Sequence, residues 1–318
     1  MIVLDSQYST TRRVTLTPPT MSDGGAGKIP SMLFLPEIPE RMGQGGLRTN
    51  GYFKTNKVDI PLISVITIVY NGDKYIEQTI NSVIGQSYNN VEYIIIDGGS
   101  TDGTLDVVRK YEKQIDYWVS EPDKGISDAF NKGISLCTGE IIGIINADDW
   151  YENDSFEAIS DNIKKYDVLY GDMIFWNERG EKNSPVVDHN KLKRNMTLCH
   201  PSCFIKRSIY KKYGMYDNEY RYAMDYNLLL NLFLKNCSFY HLANNISNMR
   251  TLGMSDEMWR AALGEVKRAK KNNGLTFFNY QFFFLFYLLK QSIRRFFQLR
   301  GLGFVVNYYR KITQHNKC

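Results

Sequence analysis

No two cysteines in this chain stand in C-x-x-C spacing, and the five present, Cys137, Cys199, Cys203, Cys237 and Cys318, are scattered. A disulfide framework and a zinc ribbon are therefore not indicated, and a reducing cytosol is the expected compartment. The opening MIVLDSQYSTTRRV has no basic region followed by an apolar run of signal-peptide length, so secretion is not expected. Excess charge of one sign is also missing. The 39 Lys and Arg against 34 Asp and Glu leave +5, too mild for nucleic acid as a partner. No run reaches the roughly 20 apolar residues of a spanning helix. The nearest, the uncharged stretch Asn272 to Leu289, is interrupted by Asn279 and Gln281.

What is present suits a globular core: 318 residues, 43% of them hydrophobic. Residues 1 to 58 carry Gly and Pro clusters (TPPT, SDGGAGKIP, LPEIPE) without a sustained apolar period, which reads as an irregular extension. From Leu62 the texture alternates. LISVITIV is a buried strand, Asp73 to Gln86 a helix, VEYIIID a strand, Asp102 to Lys113 a helix, YWVS a strand, Ile126 to Cys137 a helix and IIGII a strand. A helix from Asp154 to Lys165, a strand DVLYGD and helices near 206–213 and 224–235 follow. Such alternation predicts an α/β fold with a mostly parallel sheet flanked by helices, whose ligands gather at the carboxyl ends of strands.

Three polar clusters fall at those ends. Tyr70, Asn71 and Gly72 form either a plain strand-to-helix turn, with Asp73 near the cap, or the edge of a nucleotide-base site. In DGGSTDGT, capping accounts for Ser100, Thr101 and Asp102 but not for Asp97, whose carboxylate could accept the imide N–H of a uracil. In NADDW, alternation along an extended segment puts Asn146 and Asp148 on one face. A hard divalent cation needs few protein carboxylates there, since phosphate oxygens and water complete its shell. Asn153 and Asp154 are candidate caps for the next helix. Between the second and third clusters, SEPDKGISDAFNKGI offers Lys124 and Lys132 either to a diphosphate or to a solvated face with pairs such as Asp128 to Lys132.

In order and spacing, ISVITIVYNGDKYIEQTINSVIGQSYNNVEYIIIDGGSTDGT, SEPDKGISDAFNKGI and IINADDW resemble the donor half of a family 2 glycosyltransferase with the GT-A fold, over about 63 to 250. The resemblance implies that Asp97 contacts the base of a nucleotide sugar, with Tyr70, Asn71, Lys124, Gly125 and Asn131 around the donor. Asn146-Ala147-Asp148 then matches the Asp-x-Asp motif, Asn146 replacing its first acid and meeting ribose or metal-bound water. Asp148 is implied to hold Mn²⁺ or Mg²⁺, with Asp149 as an auxiliary ligand. CHPSCFIKRSIYKKYGMYDNEYRYAMDYNLLLNLFLK resembles the acceptor side, with Asp225 as general base and His200 facing phosphate, metal or acceptor. The other reading of Asp225 is N-cap of the helix from Tyr226 to Lys235. MRTLGMSDE, Met249 to Glu257, resembles a loop that closes over the donor, with Leu252-Gly253 where Gly-Gly is usual.

These likenesses imply an inverting transferase acting on a nucleoside-diphosphate sugar, a UDP-sugar by expectation, with a saccharide acceptor carried on polyprenyl diphosphate in surface-polysaccharide assembly. The expected division is an extension (1–58), a catalytic domain (59–255, its halves meeting near 150) and an amphipathic helical tail (256–318). In the tail, the aromatics of FFNYQFFFLFYLL precede Lys290, Arg294, Arg295, Arg300, Arg310 and Lys311. An interfacial helix over 275–311 on anionic lipid, at the inner face of the cell membrane, is expected; the alternatives are packing on the core or in a homodimer. A sugar nucleotidyltransferase would more often carry a basic Gly-rich loop, and DGGSTDGT has no Arg or Lys. A catalytically silent saccharide-binding protein is a further rival, opposed by intact Asp97, Asp148 and Asp225.

Overall fold

The computed structural model describes residues 1–21, 30–177, 180, 182–250 and 258–299. The chain divides into two compact units, Met1–Gly253 and Met254–Cys318. In the first, β1 (Gly43–Gly45) precedes the alternating series β2 (Ile63–Val69), α1 (Ile76–Ile84), β3 (Val91–Asp97), α2 (Thr104–Lys110), β4 (Tyr117–Ser120), α3 (Ile126–Leu136) and β5 (Ile141–Asn146). β4, β3, β2 and β5 lie side by side and parallel. The near-continuous Val and Ile runs of β2, β3 and β5 are buried on both faces, as a helix-covered parallel sheet requires.

Ile76, Ile80, Val83 and Ile84 of α1 face the sheet and are buried. This helix begins at Ile76 rather than at Asp73, because Asn71 adopts φ 51° and the chain turns from Gly72 to Tyr75 first. α3 presses onto β2 through Gly133, where a Cβ would lie 2.5 Å from Cγ2 of Ile66.

The second half adds β6 (Trp150–Tyr151), α4 (Ser155–Ser160), β7 (Val168–Trp176), β8 (Lys182–Asn183), β9 (Cys203–Lys206), α5 (Arg207–Tyr213), α6 (Met224–Leu234) and β10 (Phe239–Arg250). β9 runs antiparallel between β5 and β7, and β10 pairs with β7 in parallel. The helix expected to reach Lys165 stops at Ser160 and gives way to turns. Asp154, a candidate cap, sits at φ 60° and its side chain makes no cap bond. β10 is a strand that the apolar pattern did not reveal, since seven of its twelve residues, from Ala243 to Met249, include only Ala, Ile and Met among polar neighbours.

The N-terminal extension is largely irregular, yet it is anchored in the same unit. β1 covers the edge of the sheet by pairing antiparallel with β4, Gly43 opposite Ser120. Arg48, 3% exposed, donates to Glu92 at 2.6 Å and to the carbonyl of Leu136 at 2.9 Å. Lys54 donates to the carbonyl of Thr10 and lies 3.9 Å from Asp116. Burial pushes the Asp116 carboxyl up to about 7 against the pull of Lys54, and burial also lowers the Lys54 ammonium.

The second unit is described through α7 (Trp259–Asn272) and α8 (Phe277–Leu299). Phe278, Phe282, Leu285, Phe286 and Leu289 are exposed along α8, whereas Phe283 is buried under the Lys270 ammonium, 3.6 Å from the ring centre. No described helix is long and apolar enough to cross a membrane. Residues 251–257 of the expected closing loop, and Arg300, Arg310 and Lys311 of the basic set, lie outside the described residues, as do the side chains of Arg294 and Arg295.

Candidate active site

The first two clusters are one hydrogen-bonded unit. Asn71 donates its backbone N–H to Ser100 Oγ at 2.7 Å and accepts Thr101 N–H on Oδ1 at 2.9 Å. Gly72 N–H reaches Thr104 Oγ1 at 2.9 Å and Asp73 N–H reaches Asp102 at 3.2 Å. Asp102 also accepts Thr104 N–H at 3.0 Å, the local capping its residue type favours. Asp97 is 1% exposed; its Oδ2 accepts from Ser120 Oγ at 2.5 Å, Ser100 N at 3.0 Å and Gly99 N at 3.2 Å. Its Oδ1 accepts from Ser100 Oγ. This carboxylate builds and stiffens the turn, while the exposed surface beside it comes from Tyr70, 66% exposed.

Lys124 is exposed, and its backbone N–H is held by Asp128 at 3.1 Å. Gly125 opens α3 at φ 112°, and a Cβ there would meet nothing within 4 Å, so that helix start is open to a ligand. Asn131 is engaged elsewhere. Its amide donates to Tyr216 O at 2.8 Å and Asn218 Oδ1 at 3.0 Å and accepts from Tyr216 N at 3.0 Å, binding α3 to the second half of the unit. Lys132 bridges Glu121 at 2.9 Å and Asp128 at 3.9 Å.

At the end of β5 the chain turns instead of continuing extended, Asp149 N–H reaching Asn146 O at 3.1 Å. Strand alternation therefore does not set Asn146 and Asp148 on one face; the Asn146 amide approaches Asp149 Oδ2 at 3.5 Å. Buried Thr79 of α1 secures the turn by donating to the carbonyls of Ala147 at 2.8 Å and Asp149 at 2.6 Å. Burial raises the Asp148 carboxyl, with Arg250 and His200 pulling it back. Burial, and then the neighbouring Asp148, push Asp149 up to about 7.

Arg250, at the end of β10, grips this turn. Its guanidinium donates to the Asp148 carbonyl and to Gln78, and it lies 4.4 Å from the Tyr75 ring centre and 4.5 Å from that of Trp150. Its backbone N–H reaches Asp149 Oδ1 at 3.3 Å. The expected closing loop began at Met249, but Met249 and Arg250 end β10, and sequence reasoning assigned Arg250 no role of its own, because a lone arginine 102 positions from Asp148 carries no local pattern.

His200 Nδ1 lies 3.2 Å from Asp225 Oδ2. Ala223, not Asp225, is the N-cap of α6, so the capping reading of Asp225 does not apply. His200 Nε2 and Asp225 Oδ1 are both buried atoms without a hydrogen-bond partner. Burial lowers the imidazole, but Asp225, Asp149 and Asp148 outweigh it and the net direction is upward. His200 and the third cluster thus share one electrostatic environment. Burial pushes the Cys199 thiol up to about 12 and raises that of Cys203 well above its ordinary value, as for buried thiols packed in a core.

No group of three or more His, Cys, Asp or Glu side chains is placed to hold a metal among the described residues. A hard cation completed by diphosphate oxygens does not require one. Asp148, a desolvated carboxylate with a raised pKa beside a second acid, fits such an ion; so does the oxygen-rich donor set.

Residues 64–214 match the Glycosyl transferase family 2 pattern. A PGL/p-HBAD biosynthesis glycosyltransferase of Mycobacterium tuberculosis is 27% identical over 180 residues, 54% of this chain and 70% of that protein. Escherichia coli chondroitin synthase is 28% identical over 198 residues, 57% of this chain but only 29% of that protein. In fold, the chain resembles S. aureus TarS (TM-score 0.54, 22% identity, 76% of this chain and 74% of that one). It also resembles the Pyrobaculum calidifontis mannosyltransferase PcManGT, solved with GDP-Man and Mn²⁺ (TM-score 0.51, 17% identity, 66% of this chain and 63% of that one). The strand-end clusters, the mostly parallel sheet and these likenesses agree: residues 64–214 of this chain form a Glycosyl transferase family 2 domain, on the GT-A fold.

Proposed function

We propose that the chain transfers a sugar, with inversion, from a nucleoside-diphosphate sugar to the hydroxyl of a saccharide acceptor. The observation that carries this reading is Asp225. One of its oxygens is held by His200, and the other is buried without a donor, at the site that also contains Asp148 and Asp149. TarS has been solved with UDP and with UDP-GlcNAc, which supports a UDP-sugar here.

In this reading the acceptor oxygen forms a bond to the anomeric carbon while its proton passes to Asp225 Oδ1, and the bond from that carbon to the diphosphate breaks. His200 orients Asp225. Asp148 would hold Mn²⁺ or Mg²⁺, with Asp149 and His200 adjacent, and the ion when bound supplies Lewis-acid stabilisation of the departing diphosphate. Arg250 keeps the Asp148 turn in place. Asp97 stiffens the turn that receives the base, and Tyr70 presents its ring there.

The acceptor is proposed to be lipid-linked, as in assembly of bacterial surface polysaccharides. The supporting feature is α8, whose exposed Phe and Leu side chains combine with Lys290 to suit an anionic membrane surface at the inner face of the cell membrane. Hydrolysis of a panel of UDP-, GDP- and TDP-sugars, with and without Mn²⁺, tests the donor reading. Mn²⁺-dependent release of one nucleoside diphosphate is expected, and no release from any member with full-length protein and added acceptor lipid would overturn it.

A further inference from the structure

Residues 1–63 lie outside the part of the chain that matches the family pattern, which spans 64–214. One stretch of that extension nevertheless ends at the strand termini where the base is placed. β1 runs antiparallel to β4 with Gly43 opposite Ser120, so the residue before it, Met42, is carried past the carboxyl end of β4. Met42 N–H donates to Ser120 O at 2.8 Å, and the hydroxyl of the same serine donates to Asp97 at 2.5 Å.

Met42 is also fixed from its other side. Arg41 donates to Glu121 at 2.8 and 3.0 Å, and Glu121 in turn pairs with Lys132 at 2.9 Å. Both members of the Arg41–Glu121 pair are largely buried, so the strap before β1 is clamped to the segment after β4. Tyr117, in β4, adds a hydrogen bond to Gln44 at 2.6 Å.

The side chain of Met42 then comes against the double-glycine turn that follows β3. A Cβ on Gly99 would lie 3.7 Å from Met42 Sδ, and one on Gly98 would lie 3.5 Å from the Tyr70 ring and 2.5 Å from Asp123 Oδ2. The two glycines thus let side chains close on the turn, Asp123 and the Tyr70 ring beside one and the Met42 thioether beside the other. Met42 is 48% exposed although it is an apolar residue held rigidly by its neighbours. A flat heteroaromatic ring suits this exposed thioether and the Tyr70 ring near it, since a polarisable thioether makes favourable contacts with aromatic rings.

We propose that Met42, supplied by the N-terminal extension, is a base-contacting and specificity-determining residue of the donor site, its exposed thioether packing on the nucleobase beside the Gly98-Gly99 turn. The proposal rests on the donor reading above, and adds to it a wall that the matched domain does not contain. The extension therefore has a binding role in addition to covering the sheet edge.

Calorimetric titration of the full-length protein with UDP, GDP and inorganic pyrophosphate in Mn²⁺ tests it, using Met42→Ala and Met42→Leu. Thioether–aromatic contacts predict a roughly 2- to 10-fold weaker affinity of Met42→Ala for the preferred nucleoside diphosphate, with partial recovery in Met42→Leu. Pyrophosphate, which has no base, binds both variants like the wild type. An unchanged nucleotide affinity in Met42→Ala overturns the role of Met42 alone. An equal loss for pyrophosphate also overturns it, because the effect then does not act through the base. A wild-type protein that binds neither UDP nor GDP overturns the donor reading itself.

Discussion

His200 Nδ1 approaches Asp225 Oδ2 at 3.2 Å, and each side chain keeps one further buried polar atom without a partner, Nε2 on the histidine and Oδ1 on the aspartate. Such atoms are costly to bury unless something arrives to meet them. An acceptor hydroxyl at Oδ1 would do so.

Replacing the base should therefore damage chemistry more than binding. Asp225→Asn is expected to reduce kcat by about 10²- to 10⁴-fold with donor KM nearly unchanged. His200→Gln should reduce kcat less, since the carboxylate survives and loses only its orientation. Steady-state kinetics of both variants check this, and an Asp225→Asn enzyme retaining most of its kcat would refute the assignment.

Asp148 is the residue whose loss should separate the metal from the nucleotide. Asp148→Asn is expected to abolish the enhancement of donor binding by Mn²⁺ while leaving weak metal-independent binding. Calorimetry with UDP, with and without Mn²⁺, reads the difference directly. Equal enhancement in variant and wild type would exclude Asp148 as a ligand.

Arg250 joins the Asp148 turn to the aromatic pair Tyr75 and Trp150. Losing a stacked and hydrogen-bonded guanidinium is worth about 1–2 kcal/mol, so Arg250→Ala should raise the donor KM on the order of 10-fold. Arg250→Lys should recover little, because an ammonium keeps the charge without the planar fork. Kinetics at varied donor concentration distinguish the two.

Lys54 and Asp116 give a pH-dependent outcome. With Lys54→Met, a buried carboxyl loses its cation, which typically costs about 3–5 kcal/mol when the carboxyl is ionised. Asp116 already has its folded-state pKa raised to about 7, so its ionisation opposes folding and stability is lost as pH rises from near 4 through 7. The variant should be close to wild type at pH 4.5 and much less stable at pH 8. Urea melts at the two pH values test this; a deficit independent of pH would contradict it.

Membrane attachment through α8 is part of the proposed function. Phe278→Ser with Phe282→Ser should weaken binding to phosphatidylglycerol vesicles on the order of 10²-fold or more and so largely abolish cosedimentation, since each buried aromatic contributes about 1.5–3 kcal/mol. Undiminished cosedimentation would place any membrane contact elsewhere.

The chain's apolar periods were enough to place β2 to β5, α1, α3 and α6 within a few residues. These elements are buried on one or both faces, and burial writes a local pattern into sequence. Motif order likewise identified the glycosyltransferase family before any coordinates, because Asn71, Asp97 and Asp148 each sit just beyond a readable strand. Local pattern could not show that Asn131 is engaged by Tyr216, that Asp97 is enclosed by Ser100 and Ser120, or that Arg250 reaches back to Asp148. It was equally silent on the extension, whose Arg48 and Lys54 meet Glu92 and Asp116 across 44 and 62 positions. Those partners are chosen by the packing of distant segments, and side chains that meet only after the sheet has assembled leave no period in the sequence to read.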